Sequence, residues 1–168
     1  QIGQIVNMSN LVDNWLFFQA TGGFDNSNKN VYYAARNENG NYRGYFIPWD
    51  LNISFGAVYA DNKYYAEETL EETETQVQFE PGCRAVALDA DHARALAKEK
   101  WADWKEKAFD TEALLERVQR LQQELTGSGA MAREMERWPG GNASADLSLL
   151  TEFTRQRMAY MDNMIDGL

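Results

Sequence analysis

The stretch VYYAARNENGNYRGYFIPW, residues 31–49, decides the fold. Two runs rich in β-branched and aromatic residues, Val31 to Arg36 and Arg43 to Trp49, flank the dipeptide Asn39-Gly40. Asn-Gly is a strong hairpin signal, because a two-residue turn needs positive φ at both positions and these residue types tolerate it. The segment therefore predicts an antiparallel hairpin. With the turn at 39 and 40, opposed residues have numbers that sum to 79, so Asn30 faces Trp49 and Lys29 faces Asp50. Asn30 and Asp50 are then neighbours, since opposed Cα atoms stand about 4.5–5.5 Å apart.

Upstream, Asn10 to Ala20 predicts a helix with Asn10 as N-cap and Asp13 in the first turn, where a negative charge suits the helix dipole. Leu11, Trp15 and Phe18 form its apolar stripe, with Val12 and Leu16 beside it. Gly22 and Gly23 end the helix and release the chain into a polar loop, Phe24-Asp25-Asn26-Ser27-Asn28-Lys29-Asn30. Asp25 lies on this loop five residues before Asn30. A carboxylate, a carboxamide and a second carboxylate thus converge on one end of the hairpin. Hard oxygen donors of this kind suit Mg²⁺ or Mn²⁺, which take one or two carboxylates together with substrate phosphates. A calcium loop is the rival reading, but Lys29 occupies the fifth loop position, where an oxygen donor is required, and no glycine follows it.

Downstream, periodicity fades from Leu51 to about Glu80, and an acidic run that includes Glu67, Glu68, Glu71, Glu72 and Glu74 reads as a solvated excursion. From about Asp89 the pattern turns helical, with segments near Asp91 to Lys107, Asp110 to Leu125, Ala130 to Trp138 and Ala145 to Asp166. Leu114, Val118, Leu121 and Leu125 mark one apolar face, and Leu150, Phe153, Met158, Met161 and Ile165 another. Trp49, Phe55, Trp101, Trp104 and Trp138 read as packing residues. The fold class is α+β, predominantly helical, with a small antiparallel hairpin carried on a helical body.

Length and charge narrow the field of functions. With 168 residues and no internal repeat, the chain reads as a single domain. Sixteen basic against 26 acidic residues give a formal charge of −10, which argues against a nucleic-acid partner. One cysteine, Cys83, and one histidine, His92, exclude a Cys/His zinc constellation. No apolar run approaches the roughly 20 residues of a membrane span. Gln1 leads into patterned sequence within a few residues, so a piece of a longer protein is expected.

The spacing of Asp25 and Asn30, followed by Asp50, resembles the protein-kinase centre, where an Asp-x-x-x-x-Asn loop and a metal-binding Asp recur. The wider match is more specific. Asn10-Leu-Val-Asp-Asn-Trp-Leu-Phe-Phe-Gln-Ala-Thr, then Asp25 with Asn30, Val31-Tyr-Tyr, and above all Pro48-Trp49-Asp50 followed by Ser54-Phe55-Gly56, resemble the spore-coat CotH kinase family. Arg133, Arg137-Trp138, Arg155 and Arg157 continue the likeness. The resemblance implies the C-lobe-like half of an atypical secretory kinase that moves the γ-phosphoryl group of ATP to protein Ser or Thr, at a spore coat or cell surface. It implies that Asp25 orients the attacking hydroxyl, that Lys29 approaches the phosphoryl group, and that Asn30 and Asp50 hold the metal and nucleotide phosphates. Family members often read Trp-Asp-x-Asp where this chain has Trp49-Asp50-Leu51-Asn52, so Asn52 brings an amide to the metal where a carboxylate is usual. The implied partners are protein substrates, coat or surface proteins among them, and an amino-terminal lobe carrying the nucleotide clamp, without which the chain is expected to be inactive. The alternative is a catalytically silent surface or coat module that keeps the fold for adhesion.

Overall fold

The computed structural model describes residues 2–26, 29–60, 63–66, 81–139 and 146–168. The acidic run that begins at Glu67 lies outside the described residues. The chain forms α1 (Met8–Thr21), the strands β1 (Val31–Glu38) and β2 (Asn41–Pro48), a second hairpin of β3 (Ala57–Ala60) and β4 (Lys63–Ala66), and five further helices. These are α2 (Pro81–Ala87), α3 (Ala93–Lys105), α4 (Thr111–Gly127), α5 (Ala130–Arg137) and α6 (Ser148–Asp166). The architecture is predominantly helical α+β.

α1 is the central helix. Leu11, Val12, Trp15, Leu16 and Ala20 are buried with Ala85 and Val86 of α2, Ala97 and Trp101 of α3, and Met158, Met161 and Ile165 of α6. A helix apolar on several faces is stable only when other helices cover it, and each large side chain so buried contributes about 1.5–3 kcal/mol. The helix begins earlier than the sequence suggests. Asn7 is the N-cap, its Oδ1 accepting from the Asn10 amide at 2.9 Å. Asn10 sits one turn inside and grips β2: its Oδ1 accepts from the Phe46 amide at 2.7 Å and its Nδ2 donates to the Phe46 carbonyl at 3.1 Å. Capping preference alone cannot separate two asparagines three residues apart; the strand that must be docked does. Asp13 consequently lies beyond the first turn and pairs with Lys100 of α3 at 2.8 Å.

The hairpin follows the expected register, from Val31 opposite Pro48 to Glu38 opposite Asn41, with Asn39 and Gly40 in the turn at φ 52° and 89°. The outer edge of β2 is occupied. Gly44 donates to the Ile5 carbonyl at 2.8 Å and accepts from Asn7 at 3.0 Å, Phe46 is held by Asn10, and Pro48 has no N–H to offer. The outer edge of β1, at Val31, Tyr33, Ala35 and Asn37, pairs with no strand among the described residues.

A polar knot fastens the turn end of the hairpin to the start of α1. The Glu38 carboxylate accepts from the Tyr45 hydroxyl and from Asn7 Nδ2, the latter at 2.9 Å, and pairs with Arg43 at 3.3 Å. The Tyr45 hydroxyl, then Asn7, hold the Glu38 carboxyl below its ordinary value, while the hydrogen bond to Glu38 raises the Tyr45 phenol. The signs are opposite. A depressed carboxyl contributes stability that is present above its unfolded pKa of about 4.3 and lost as pH falls through its lower folded value. A raised phenol contributes stability present below about 10 and lost as pH climbs through its higher folded value. Melting temperature is therefore expected to hold a plateau between these limits, and Glu38→Gln to reduce the dependence at both ends. A Glu38→Gln profile superimposable on wild type would remove the knot from the account.

The later helices match expectation in existence and differ in their packing. α4 is capped by Asp110, which accepts from the Ala113 amide at 2.8 Å. Its buried residue is Leu115, whereas Leu121 and Leu125 of the expected apolar face are exposed. Phe153, Met158, Met161 and Ile165 of α6 are buried as expected. Trp101 is core, its Nε1 donating to Asp162 at 2.8 Å, and Trp104 stacks on Phe109, but Trp138 is exposed. The β3–β4 hairpin and α2 fall where no element was expected; four-residue strands and a seven-residue helix are shorter than the windows in which periodicity is legible.

Candidate functional site

The site forms where the end of α1, the loop after it and the open end of the first hairpin meet. Gly22 takes the left-handed conformation that terminates α1, its N–H donating to the Phe18 carbonyl. Phe24–Asn26 then make one turn of 3₁₀ helix, which places Asp25. Ser27 and Asn28 lie outside the described residues. The Asp25 carboxylate accepts from Asn30 Nδ2 at 2.7 Å through Oδ2 and pairs with Lys29 Nζ at 3.0 Å through Oδ1. Asp25, Lys29 and Asn30 are thus brought together as one hydrogen-bonded group. With Nδ2 committed to Asp25, the lone pairs of the Asn30 carboxamide are on Oδ1.

Asp50 joins from the other strand. The Trp49 amide donates to the Asn30 carbonyl at 2.8 Å, continuing the pairing one step past the strand ends, and Asp50 follows directly. Asn30 and Asp50 both adopt positive φ, 57° and 54°, a conformation that Asn and Asp tolerate better than other non-glycine residues. Asn52 lies two residues further, exposed, in a turn closed by Ser54 Oγ donating to the Leu51 carbonyl at 2.6 Å. The Phe55 amide then donates to the Thr21 carbonyl at 2.6 Å, tying the segment back to α1. Gly56, at φ 80°, lies so close to Phe153 of α6 that a Cβ would stand 2.9 Å from its ring. Only glycine fits there. Trp49 corrects an expectation: it is 58% exposed, against Tyr32 with ring centroids 5.3 Å apart, and is not a core residue. His92 is exposed.

Two buried residues have partners that the sequence does not signal. Asn26 is fully buried and donates through Nδ2 to both the Asn30 carbonyl, at 2.9 Å, and the Trp49 carbonyl, at 2.6 Å. Arg157 of α6 is also fully buried, with Nε on the Gln19 carbonyl at 2.5 Å, a second nitrogen on Gln19 Oε1 at 3.1 Å, and the guanidinium 4.5 Å from the centre of the Tyr160 ring. Asn26 reads as one polar loop residue among several, and Arg157 as one more helix arginine; only the fold reveals their partners.

The donor set fits a hard divalent cation. The oxygens on offer are carboxylates and a carboxamide, and among the described residues no three Asp, Glu, His or Cys side chains gather into a cage. Mg²⁺ and Mn²⁺ take oxygen donors of this type and keep most of their shell for water and phosphate oxygens. No described helix is long and apolar enough to cross a membrane.

The family model described as CotH kinase protein matches residues 1–161. No curated protein and no solved structure matches the chain.

Proposed function

Since the chain belongs to the CotH kinase protein family, we propose that it carries the metal-binding and catalytic-base half of a protein kinase that transfers the γ-phosphoryl group of ATP to Ser or Thr of a protein at a spore coat or cell surface. The observation that carries this reading is the bond from Asn30 Nδ2 to Asp25 Oδ2 at 2.7 Å, beside a Trp49–Asn30 backbone pair that leads into Asp50. One hydrogen-bonded unit then offers both a base and metal donors.

Asn30 through Oδ1 and Asp50 through its carboxylate would hold Mg²⁺ or Mn²⁺, with Asn52 assisting as a neutral donor. When bound, such an ion neutralises phosphate charge and orients the transferred group. Asp25 accepts the proton of the attacking hydroxyl. Its carboxylate is held in one orientation by Asn30 and Lys29, and in phosphoryl transfer positioning of this kind supplies most of the acceleration. The Lys29 ammonium, which is largely exposed, balances Asp25 and would attract the γ-phosphoryl oxygens.

The test is incorporation of label from γ-labelled ATP by the full-length natural protein, into itself and into an added Ser/Thr-rich acceptor. Label is expected with Mg²⁺ or Mn²⁺ and not with a chelator. Absence of incorporation from the full-length natural protein under both metals would overturn the assignment.

A further inference from the structure

We propose that Asn26 is a positioning residue for the metal donors, acting through the two strand ends rather than by touching the ion; this rests on the metal site proposed above. Its Nδ2 donates at once to the carbonyl of Asn30 and to the carbonyl of Trp49. The first carbonyl belongs to a donor residue itself. The second belongs to the peptide unit that leads into Asp50, so gripping it fixes the plane from which the Asp50 φ of 54° departs. One carboxamide therefore sets the backbone of both donors, at the end of a hairpin where strands otherwise fray.

The other end of the same carboxamide argues that stability alone does not account for Asn26. Its Oδ1 is buried and accepts no hydrogen bond among the described residues. A buried acceptor left in this way is destabilising and calls for an explanation. Gly23 accommodates it: a Cβ on Gly23 would meet Oδ1 at 3.2 Å and the Phe18 ring at 3.2 Å. The small residue and the buried amide fit each other, and together they hold Asn30 and Asp50 at a fixed spacing.

The probe is Mn²⁺ alone, titrated into the full chain and followed by the free-ion EPR signal. Asn26→Ala is expected to weaken Mn²⁺ binding about tenfold or more, the range found when partners of metal ligands are removed, while near-UV circular dichroism and a cooperative melt persist. Asn26→Asp is the sharper variant. It adds a negative charge close to the ion, which by charge alone tightens binding, yet it replaces the donor with lone pairs that repel both carbonyls. Positioning predicts weaker binding, and tighter binding by Asn26→Asp would overturn the proposal. Should Asn26→Ala fail to fold, Gly23→Ala displaces the carboxamide sterically and is expected to weaken binding in the same direction.

Asp50→Ala separates the two ideas. If it binds Mn²⁺ as wild type does, the metal site itself is wrong. If it loses binding while Asn26→Ala and Asn26→Asp both keep it, the metal site stands and the positioning role falls. Hydrogen exchange at the Trp49 amide gives a readout that needs no metal. It is expected to accelerate at least tenfold in Asn26→Ala, and an unchanged rate would overturn the grip on the hairpin.

Discussion

Arg157→Ala is expected to lower the unfolding free energy by about 3–5 kcal/mol, a drop in melting temperature on the order of 10 °C for a chain of this size. Gln19 lies in the last turn of α1, where carbonyls have no partner within the helix. The Arg157 guanidinium supplies that partner from α6 and brings a positive charge to the negative end of the helix dipole. Truncation to alanine leaves the Gln19 carbonyl and Oε1 without the donor, removes the contact with Tyr160, and opens a void in a fully buried position. Arg157→Lys keeps the charge but cannot make both bonds to Gln19 in the same plane, so it should recover only part of the loss. Urea unfolding of the three proteins measures the order. Equal stability of wild type and Arg157→Ala would mean that α1 ends without help from α6.

Asp25→Asn and Asp50→Asn are each expected to reduce phosphoryl transfer by about 10³-fold or more, equivalent to roughly 4 kcal/mol of barrier. They should do so by different routes. Asp25→Asn keeps the shape of the group held by Asn30 and Lys29 but cannot take a proton, so turnover falls while Mn²⁺ affinity and the KM for ATP stay near wild type. Asp50→Asn removes the carboxylate proposed to hold the metal with Asn30, so Mn²⁺ affinity falls with turnover, and raising the metal concentration recovers part of the rate. Metal titrations and steady-state kinetics on the same preparations read both quantities. If Asp25→Asn weakens metal binding as much as Asp50→Asn, the separate roles assigned to them are wrong.

The parts of this fold legible in the sequence were those set by local rules. Asn39-Gly40 can serve a two-residue turn, and once the turn is fixed the register follows by counting, which puts Asn30 opposite Trp49 as the structure has it. Gly22 ends α1 because a left-handed residue is required there. What was not legible depended on partners far away in the chain. Asn10 was read as a cap because nothing local reports that Phe46 needs a partner for its backbone. Trp49 was read as core because hydropathy does not say which face of a hairpin is covered. The role of Asn26 and the partners of Arg157 are hidden for the same reason. Each is a polar residue whose importance lies in the carbonyls it meets, 23 and 138 positions away in its longest contact.

The unequal edges of the first hairpin give the sheet a valence of one. On β2, Gly44 and Phe46 are engaged by Ile5, Asn7 and Asn10, while among the described residues β1 pairs with no further strand at Val31, Tyr33, Ala35 and Asn37. A strand that lengthened this sheet would find its longer open edge along β1. That strand begins at Val31, one residue after Asn30, so the open edge runs directly into the candidate site's own backbone.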